Sequence, residues 1–289
     1  MTSEINQRDR QSFPATGTDQ VSGSKHATKT NEERETDLEL LENTVRAAGK
    51  IALKFFTGHY RRWSKVGGSP VTEADLAVDA FLKEELHRAR PDYGWLSEES
   101  LDDPARLDAR RVFIVDPIDG TVAFMKGRPH FTICAAVVES GRPLSGVVFN
   151  PARDECFTGQ ESKGAHLNGI PIHVGGRSVI EGCKLLGNRA LFTDWPPMQI
   201  ENFSSIAYRV ALVAAGQFDA MVSLTGKRDW DLAAADIIIR EAGGRLVDLD
   251  GREPVYNVPA AIQGATIAAG PGLIDPLLTA LRQKNSLKS

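Results

Sequence analysis

Two aspartates three positions apart follow a short apolar run near the middle of the chain. The run is Val112–Val115, and the motif from Asp116 to Thr121 reads Asp-Pro-Ile-Asp-Gly-Thr. Continuous β-branched and aromatic residues predict a buried strand that delivers Asp116 at its C-terminal end. Asp, Pro and Gly are also common in turns for geometric reasons alone. Two carboxylates directly after a buried strand nevertheless indicate a chemical site.

The chemistry that this motif favours is metal binding through oxygen. Mg²⁺ prefers carboxylate, carbonyl and water ligands, whereas zinc more often recruits His or Cys. No histidine lies within residues 116–121. A nucleophilic aspartate in an Asp-x-Asp-x-Thr pattern is disfavoured, because Pro117 occupies the position two before Asp119. The motif therefore predicts a magnesium site without a covalent aspartyl-phosphate.

Three further segments carry residues of the same chemical kind. They are Trp95–Ser100 with its acidic pair, Trp230-Asp231 at the start of a predicted helix that ends at Gly243-Gly244, and Lys65–Asp75. Together with residues 116–121, these segments resemble the inositol monophosphatase family of magnesium-dependent, lithium-sensitive phosphatases. The resemblance covers about residues 60 to 245.

The resemblance implies a set of metal ligands. Glu98 and Asp116 would bind metal, with Asp116 bridging two ions. Ile118 would offer its carbonyl oxygen, Asp119 would bind the second metal, and Asp231 would complete its shell. Carboxylates brought so close together would repel one another unless cations neutralised them, and roughly two or three Mg²⁺ per site would do so.

The resemblance also implies catalytic and substrate-binding roles. Thr121 would help Glu98 to activate the attacking water, and Asp75 would orient Thr121. Hydrolysis would then be direct, without a covalent intermediate. The residues implied in substrate binding are Asp119, Gly120, Thr121 and Asp231.

Some of these residues have simpler structural interpretations. Asp75 also fits a capping box that begins at Thr72, and the two roles cannot be separated by sequence alone. Asp231 could cap its helix or complement the helix dipole. Glu99 could be a solvated surface acid.

The elements that must position these residues are mixed along the chain. Apolar residues at three- and four-residue steps predict a helix from Asp37 to about Gly58 and a second from Thr72 to before Pro91, with a Gly-rich loop Lys65–Pro70 between them. Gly120 and Thr121 are expected to start a helix or tight turn. The next segments predict a β-meander: Phe131–Glu139, a turn at Gly141–Pro143, Leu144–Asn150 and Glu155–Thr158.

The C-terminal third alternates between helices and strands. Its predicted helices are Ser204–Ala215, Leu232–Ala242 and one from Leu273, and its predicted strands are Ala220–Leu224, Arg245–Leu249 and Ala265–Ala269. This mixture favours an α+β or layered α/β fold. The family resemblance implies a layered αβαβα sandwich, the sugar phosphatase fold. Residues 1–36 are predicted to be a disordered tail and 37–289 a phosphatase domain, with subdomains of about 37–180 and 181–289.

Composition disfavours polyanionic partners but leaves a local basic site open. The net charge of -4 in 289 residues gives no global field that would attract nucleic acid or an anionic membrane. No apolar run is long enough for a membrane span, and the N-terminus lacks the apolar region of a secretion signal, so we expect a cytoplasmic protein. The widely spaced Cys134, Cys156 and Cys183 predict buried free thiols.

The sequence leaves the substrate open. After Thr121, Val122 and Ala123 match neither the Thr-Asn usual in inositol monophosphatases nor the Lys-Glu of bisphosphate nucleotidases. Ser223 and Lys227 lie where inositol phosphatases place a substrate-binding Glu. Lys227 and Arg228 could instead contact a second phosphate, and Gly127–Pro129 resembles relatives that hydrolyse histidinol phosphate.

The expected function is accordingly Mg²⁺-dependent hydrolysis of a small phosphate ester. Inositol monophosphate is the first candidate substrate, followed by a 3'(2'),5'-bisphosphate nucleotide, with histidinol phosphate and sugar bisphosphates behind. A regulatory binding protein that keeps the fold is the alternative from another class. The resemblance implies a homodimer.

Overall fold

The computed structural model describes residues 22–65 and 68–286, with side chains described for residues 37–65 and 68–283. The described residues from 34 onwards belong to one compact unit, which contains every strand that the structure describes. The helices are α1 (Ser22–Phe55), α2 (Glu73–Ala89), α3 (Thr121–Met125), α4 (Ile206–Ala214), α5 (Asp229–Glu241) and α6 (Pro271–Ser286). The strands are β1 (Arg62–Ser64), β2 (Pro70–Thr72), β3 (Gly94–Ser97), β4 (Arg111–Asp119), β5 (Thr132–Glu139), β6 (Arg142–Asn150), β7 (Glu155–Gln160), β8 (Gly164–Leu167), β9 (Ile170–Pro171), β10 (Lys184–Leu186), β11 (Gln199–Glu201), β12 (Ala220–Ser223), β13 (Lys227–Arg228), β14 (Arg245–Val247), β15 (Ile262–Gln263) and β16 (Thr266–Ala269).

Helix α1 begins earlier than predicted. Its apolar stripe was expected from Asp37, and Leu41, Val45 and Ala48 are indeed buried. The backbone helix nevertheless starts at Ser22, so it includes part of the predicted tail, of which residues 1–21 lie outside the described residues. Charged residues such as those of 32–35 favour helix without forming an apolar stripe, which explains why periodicity did not find this part.

Helix α2 confirms its sequence prediction closely. It runs from Glu73 to Ala89, and Thr72 is its N-cap. The Thr72 hydroxyl accepts from the backbone N–H of Ala74, while Asp75 accepts from the backbone N–H of Thr72 at 2.8 Å. This is the predicted capping box, and it fixes where the helix begins.

A seven-stranded sheet has the order β3-β4-β5-β6-β7-β8-β9. Strands β4 to β9 pair antiparallel in sequence order, which confirms and extends the predicted meander, and β3 pairs parallel with β4. The turn expected at Gly141–Pro143 lies slightly earlier. Ser140 and Gly141 have φ of 52° and 76°, and β6 already begins at Arg142.

Strand β4 is longer than the predicted Val112–Val115. It continues to Asp119, with an irregular register against β5 between Asp116 and Asp119. Pro117 lies in this stretch and has no N–H to donate to a neighbouring strand. The two aspartates are therefore carried by an irregular strand end and not by a loop that follows the strand.

A five-stranded sheet has the order β11-β10-β12-β16-β14. Its strands β12, β14 and β16 were predicted, whereas β10 and β11 were not. The predicted C-terminal helices correspond to α4, α5 and α6. The predicted subdomain boundary near residue 180 falls between the last strand of the first sheet and the first strand of the second, and the division into subdomains stays a prediction.

Apolar packing arranges these elements in five layers. Helices α1 and α2 cover one face of the seven-stranded sheet, where Leu41 and Val78 share a cluster with Phe113. Helices α4 and α5 lie between the two sheets, because one cluster joins Val148 and Phe157 to residues of both helices and to Met221 of β12. Helix α6 covers the outer face of the second sheet through residues such as Leu277. The fold is the predicted layered αβαβα sandwich.

The cysteines confirm their sequence prediction. Cys134, Cys156 and Cys183 are all free and buried. Among the helices of the described chain, none combines the length and apolar character that a bilayer crossing requires.

Candidate active site

All the predicted site residues except Asp75 line one cleft. Its volume is about 370 Å³, and it lies where β4 ends, between α3 and the start of α5. The residues that line it are Ser69, Pro70, Glu98, Asp116, Ile118, Asp119, Gly120, Thr121, Val122, Ser204 and Asp231.

The centre of the cleft is a group of three carboxylates. Asp116, Asp119 and Asp231 each offer one carboxylate oxygen, and these oxygens lie within 4.8 Å of one another. The first two come from the irregular end of β4 and the third from the first turn of α5. Residues more than a hundred positions apart in sequence thus meet at one point.

Asp116 is the most deeply buried member of the group. Its Oδ1 accepts from the backbone N–H of Ile118 at 3.1 Å. Its Oδ2 is buried and has no hydrogen-bond partner among the described residues. Burial, and then the charges of Glu98 and Asp119, raise the pKa of Asp116 well above its usual value. A buried, unpartnered carboxylate oxygen is costly unless a cation compensates it.

Asp119 is held by the start of helix α4. Its Oδ2 accepts from Ser205 Oγ at 2.6 Å and from the backbone N–H of Ala207 at 2.7 Å. Burial raises the pKa of Asp119 to about 6, although the hydrogen bond from Ser205 acts in the opposite direction. Sequence reasoning missed Ser205. Its position directly before the apolar residues of α4 is an N-cap signal that could have identified it.

Asp231 makes a helix-start contact and also lies beside the other two carboxylates. Its Oδ2 accepts from the backbone N–H of Arg228 at 2.7 Å, as a residue at the start of a helix does. Its carboxylate also belongs to the group of three. Burial, followed by the charge of Asp119, raises the pKa of Asp231 to about 7.

Glu98 lies beside this group and is paired with Lys65. Lys65 Nζ contacts Glu98 Oε1 at 2.9 Å and Glu99 Oε1 at 2.7 Å. Burial alone would lower the pKa of Lys65, but Glu99 and Glu98 raise it. Burial raises the pKa of Glu99 to about 7 against the effect of Lys65. Glu99 is therefore not the solvated surface acid that the sequence also allowed.

Thr121 is the first residue of α3 and faces two acceptors. Its hydroxyl lies 3.1 Å from the Ile118 carbonyl oxygen and 3.3 Å from Asp75 Oδ1. Asp75 uses its other oxygen, Oδ2, for the capping box at Thr72. Asp75 thus makes both contacts between which the sequence could not choose.

Gly120 is required by the backbone at this point. Its φ is +95°, which favours glycine. A Cβ atom there would lie 3.0 Å from both the His130 carbonyl oxygen and the Ser205 backbone nitrogen. The predicted helix start at Gly120 and Thr121 is confirmed, and it requires a residue without a side chain.

A second cleft adjoins the first at Ser204, which lines both. It contains two cationic side chains, Arg209 of α4 and Lys227 of β13. Arg209 Nε donates to the Phe203 carbonyl oxygen at 2.5 Å, and Lys227 Nζ donates to Thr225 Oγ1 at 2.8 Å. Sequence reasoning had paired Lys227 with Arg228 and missed Arg209. Arg228 does not line this cleft but contacts the Ala260 carbonyl oxygen.

The donor set fits a divalent cation. All the candidate ligands are oxygen atoms, the carboxylates raise one another's pKa, and a buried oxygen of Asp116 is unsatisfied. The Thr121 hydroxyl lies in the same cleft, and the Asp75 carboxylate contacts that hydroxyl. Such an arrangement of oxygen donors is able to hold a divalent cation, and metal-assisted hydrolysis is one chemistry that it can support.

Comparison with known proteins places the chain in a family. The family model described as "Inositol monophosphatase family" matches residues 33–287. The chain therefore belongs to the inositol monophosphatase family and is a phosphatase of that family.

Individual relatives agree with this assignment. The chain is 36% identical to an inositol-1-monophosphatase of Rhizobium meliloti over 204 residues, covering 63% of this chain and 73% of that protein. It is 30% identical over 262 residues to a protein of Pasteurella multocida named Nus factor SuhB, covering 84% and 96%. The crystal structure of the extragenic suppressor protein SuhB from Bartonella henselae superposes with a TM-score of 0.76 at 27% identity, covering 85% of this chain and 98% of that one.

Proposed function

We propose that this chain is a Mg²⁺-dependent phosphomonoesterase that hydrolyses a small phosphate ester, with inositol monophosphate as the first candidate substrate. The observation that carries the proposal is the meeting of Asp116, Asp119 and Asp231 at oxygen distances within 4.8 Å, in a cleft that Thr121 and Glu98 also line. The inositol-1-monophosphatase of Rhizobium meliloti supports the choice of substrate.

The metal ligands in this proposal are Glu98, Asp116, Asp119, Asp231 and the carbonyl oxygen of Ile118. When bound, Mg²⁺ would supply a Lewis acid that polarises the phosphate and favours attack by water. Asp116 and Asp119 are buried, which keeps bulk water away from their carboxylates, and hydrogen bonds from Ile118, Ser205 and Ala207 orient them. Gly120, which lacks a side chain, lets the phosphate approach the backbone.

The proton of the attacking water is assigned to Glu98 and Thr121. The single hydroxyl hydrogen of Thr121 is directed at Asp75 or the Ile118 carbonyl, so its lone pairs remain to accept from water. Lys65 occupies one acceptor site, on Oε1 of Glu98, and an ionised carboxylate has about four such sites, so sites remain for both a cation and the water. The oxygen of water would form a bond to phosphorus while the bond between phosphorus and the ester oxygen breaks. The proton of the attacking water would pass to the carboxylate of Glu98, and the leaving alkoxide would take a proton from solvent water.

A substrate panel tests the proposal. Inositol 1-phosphate, a 3',5'-bisphosphate nucleotide, histidinol phosphate and fructose 1,6-bisphosphate would be compared with Mg²⁺, with Mg²⁺ plus Li⁺, and with a chelator. Asp116→Asn should lower kcat/KM by about 10³-fold or more, and Mg²⁺ binding measured by calorimetry should weaken. Glu84→Gln, on the exposed face of α2, is the matched control. Hydrolysis that survives the chelator or Asp116→Asn would contradict the proposal.

The second cleft favours a second candidate, a substrate that carries another anionic group, such as a 3'(2'),5'-bisphosphate nucleotide. Arg209 and Lys227 contribute two positive charges there, and their hydrogen-bond partners are neutral oxygens. Burial lowers the pKa of both side chains, and a bound anion would raise these pKa values again. Lys227→Gln should lower kcat/KM about 10-fold for a bisphosphate and leave a monophosphate unchanged, with Lys184→Gln as the exposed control.

A regulatory role is the alternative from another class, and the relative of Pasteurella multocida named Nus factor SuhB gives it support. Asp116→Asn separates the two functions. A purely enzymatic role predicts that a deletion strain is not complemented by Asp116→Asn, whereas a partner-binding role predicts full complementation by this folded variant.

A further inference from the structure

Asp79 of helix α2 accepts hydrogen bonds from both ends of segment 97–100, which carries Glu98. Asp79 Oδ1 accepts from Ser97 Oγ at 2.5 Å, and Oδ2 accepts from Ser100 Oγ at 2.6 Å. The carboxylate and Ser97 are buried, and Ser100 is half-buried. Only Glu98 and Glu99 lie between the two anchored serines.

Two further hydrogen bonds restrain segment 97–100. Ser97 is the last residue of β3, and Ser100 Oγ also accepts from Trp95 Nε1 at 3.2 Å. The backbone N–H of Glu98 lies 3.4 Å from the Val115 carbonyl oxygen of β4. With the residues on either side fixed by one carboxylate, the backbone of Glu98 has little freedom left.

The same helix holds the second member of the proposed proton-accepting pair. Asp75 lies four residues before Asp79, so both side chains are on one face of α2. Asp75 contacts the Thr121 hydroxyl, while Asp79 contacts the serines beside Glu98. Side chains of one helix therefore contact both Thr121 and the serines that flank Glu98 and Glu99.

We infer that Asp79 is a positioning residue for Glu98, and that α2 sets the placement of Glu98 relative to Thr121 through Asp79 and Asp75. This inference rests on the proposed function, because it assumes that Glu98 binds metal. A carboxylate is needed at position 79, since each of its oxygens accepts one hydroxyl. An amide offers only one oxygen acceptor, so one serine hydroxyl would lose its charged acceptor and could only accept from the amide N–H instead.

The test compares Asp79→Asn with Asp37→Asn. Asp37 is also a buried carboxylate, and it holds Arg90, Tyr93 and Arg111 but does not line the cleft. Both variants should lower the melting temperature. Asp79→Asn alone should raise the Mg²⁺ dissociation constant, measured by calorimetry, about 10-fold, and kcat should recover in large part at saturating Mg²⁺.

The outcomes are distinct. An unchanged Mg²⁺ dissociation constant in Asp79→Asn, with a melting temperature lowered as in Asp37→Asn, would overturn the inference and leave the proposed function intact. A wild-type protein that binds no Mg²⁺ would overturn both. If Asp79→Asn does not fold, Ser100→Ala is the second variant, because it removes one of the two hydrogen bonds to Asp79. It should raise the Mg²⁺ dissociation constant by about 3-fold, and an unchanged constant would overturn the inference.

Discussion

Ser205 Oγ donates a hydrogen bond to Asp119 Oδ2 at 2.6 Å, although 86 positions separate the two residues. Ser205 is also the N-cap of α4, where its oxygen accepts from the backbone N–H of Tyr208 at 3.0 Å. Because its only hydroxyl hydrogen goes to Asp119, the nearby Thr132 hydroxyl donates to Ser205. One side chain thus starts a helix and orients a candidate metal ligand.

Replacing Ser205 should affect stability and hydrolysis together. Ser205→Ala removes the cap and a hydrogen bond to Asp119, so we expect a loss of about 1–2 kcal/mol in the free energy of unfolding and about a 10-fold lower kcat/KM. Denaturant unfolding and steady-state kinetics measure the two effects. Asp103→Ala removes the cap of a short 3-10 helix that does not line the cleft and should lower stability alone. Normal kinetics in Ser205→Ala would refute the link.

The two contacts of Asp75 can be separated by mutation. Asp75→Asn should lower kcat by about 10²-fold with little change in KM, because Thr121 loses the carboxylate that orients it. Thr72→Ala removes the cap partner and leaves the contact between Asp75 and Thr121. It should cost about 1 kcal/mol of stability and leave kcat nearly unchanged. Equal kcat in both variants would argue that Asp75 serves only the helix.

The backbone at Gly120 gives a third prediction. Gly120→Ala places a Cβ at a φ of +95°, 3.0 Å from the His130 carbonyl oxygen, so we expect a loss of about 2–4 kcal/mol in stability and a strong loss of hydrolysis. Gly169→Ala is the control, because its φ is +78° and nothing lies within 4 Å. It should cost only about 1 kcal/mol and leave hydrolysis unchanged, as thermal unfolding and kinetics would show.

Asp236 of α5 should make stability depend on pH. Burial raises the pKa of Asp236 to about 6, against the effect of the nearby Arg240. Its usual value is 3.8, so the folded protein binds more protons than the unfolded chain between these values. The stabilising contribution is therefore complete below pH of about 4 and is lost as the pH rises through about 6. The other charged or titratable groups near it are Tyr256, Glu253 and Arg142.

The measurement is urea unfolding of wild type and Asp236→Asn across this range. Relative to wild type, the variant should gain on the order of 1–3 kcal/mol between pH of about 4 and 8. Asp108→Asn, at an exposed position, should show no such difference. Parallel pH profiles for wild type and Asp236→Asn would contradict the assigned pKa.

Local patterns explain what the sequence predicted correctly. The capping box at Thr72 and Asp75 depends on four consecutive residues, and the stripe through Leu41 and Val45 depends on one helix face, so both were found without knowledge of the rest of the fold. Strands β10 and β11 have three residues each and owe their pairing to distant neighbours, so they were not found.

The same distinction applies to the site. The motif from Asp116 to Thr121 is continuous, and its chemistry was visible at once. Ser205 contacts Asp119, and Arg209 lines the second cleft, only because the start of α4 lies beside the end of β4. No local sequence spacing indicates this long-range contact. The role of Asp79 was missed for the same reason, because its hydrogen-bond partners Ser97 and Ser100 lie 18 and 21 positions away in sequence.

The wide sequence separation of the carboxylates has a consequence for biosynthesis. A chain leaves the ribosome from its N-terminus, so Glu98, Asp116 and Asp119 emerge long before Asp231. A nascent or prematurely terminated chain that stops before α5 contains every strand of the first sheet and lacks the third carboxylate. The complete group of three carboxylates therefore forms only after α5 has been synthesised, and an N-terminal fragment that ends before α5 lacks it.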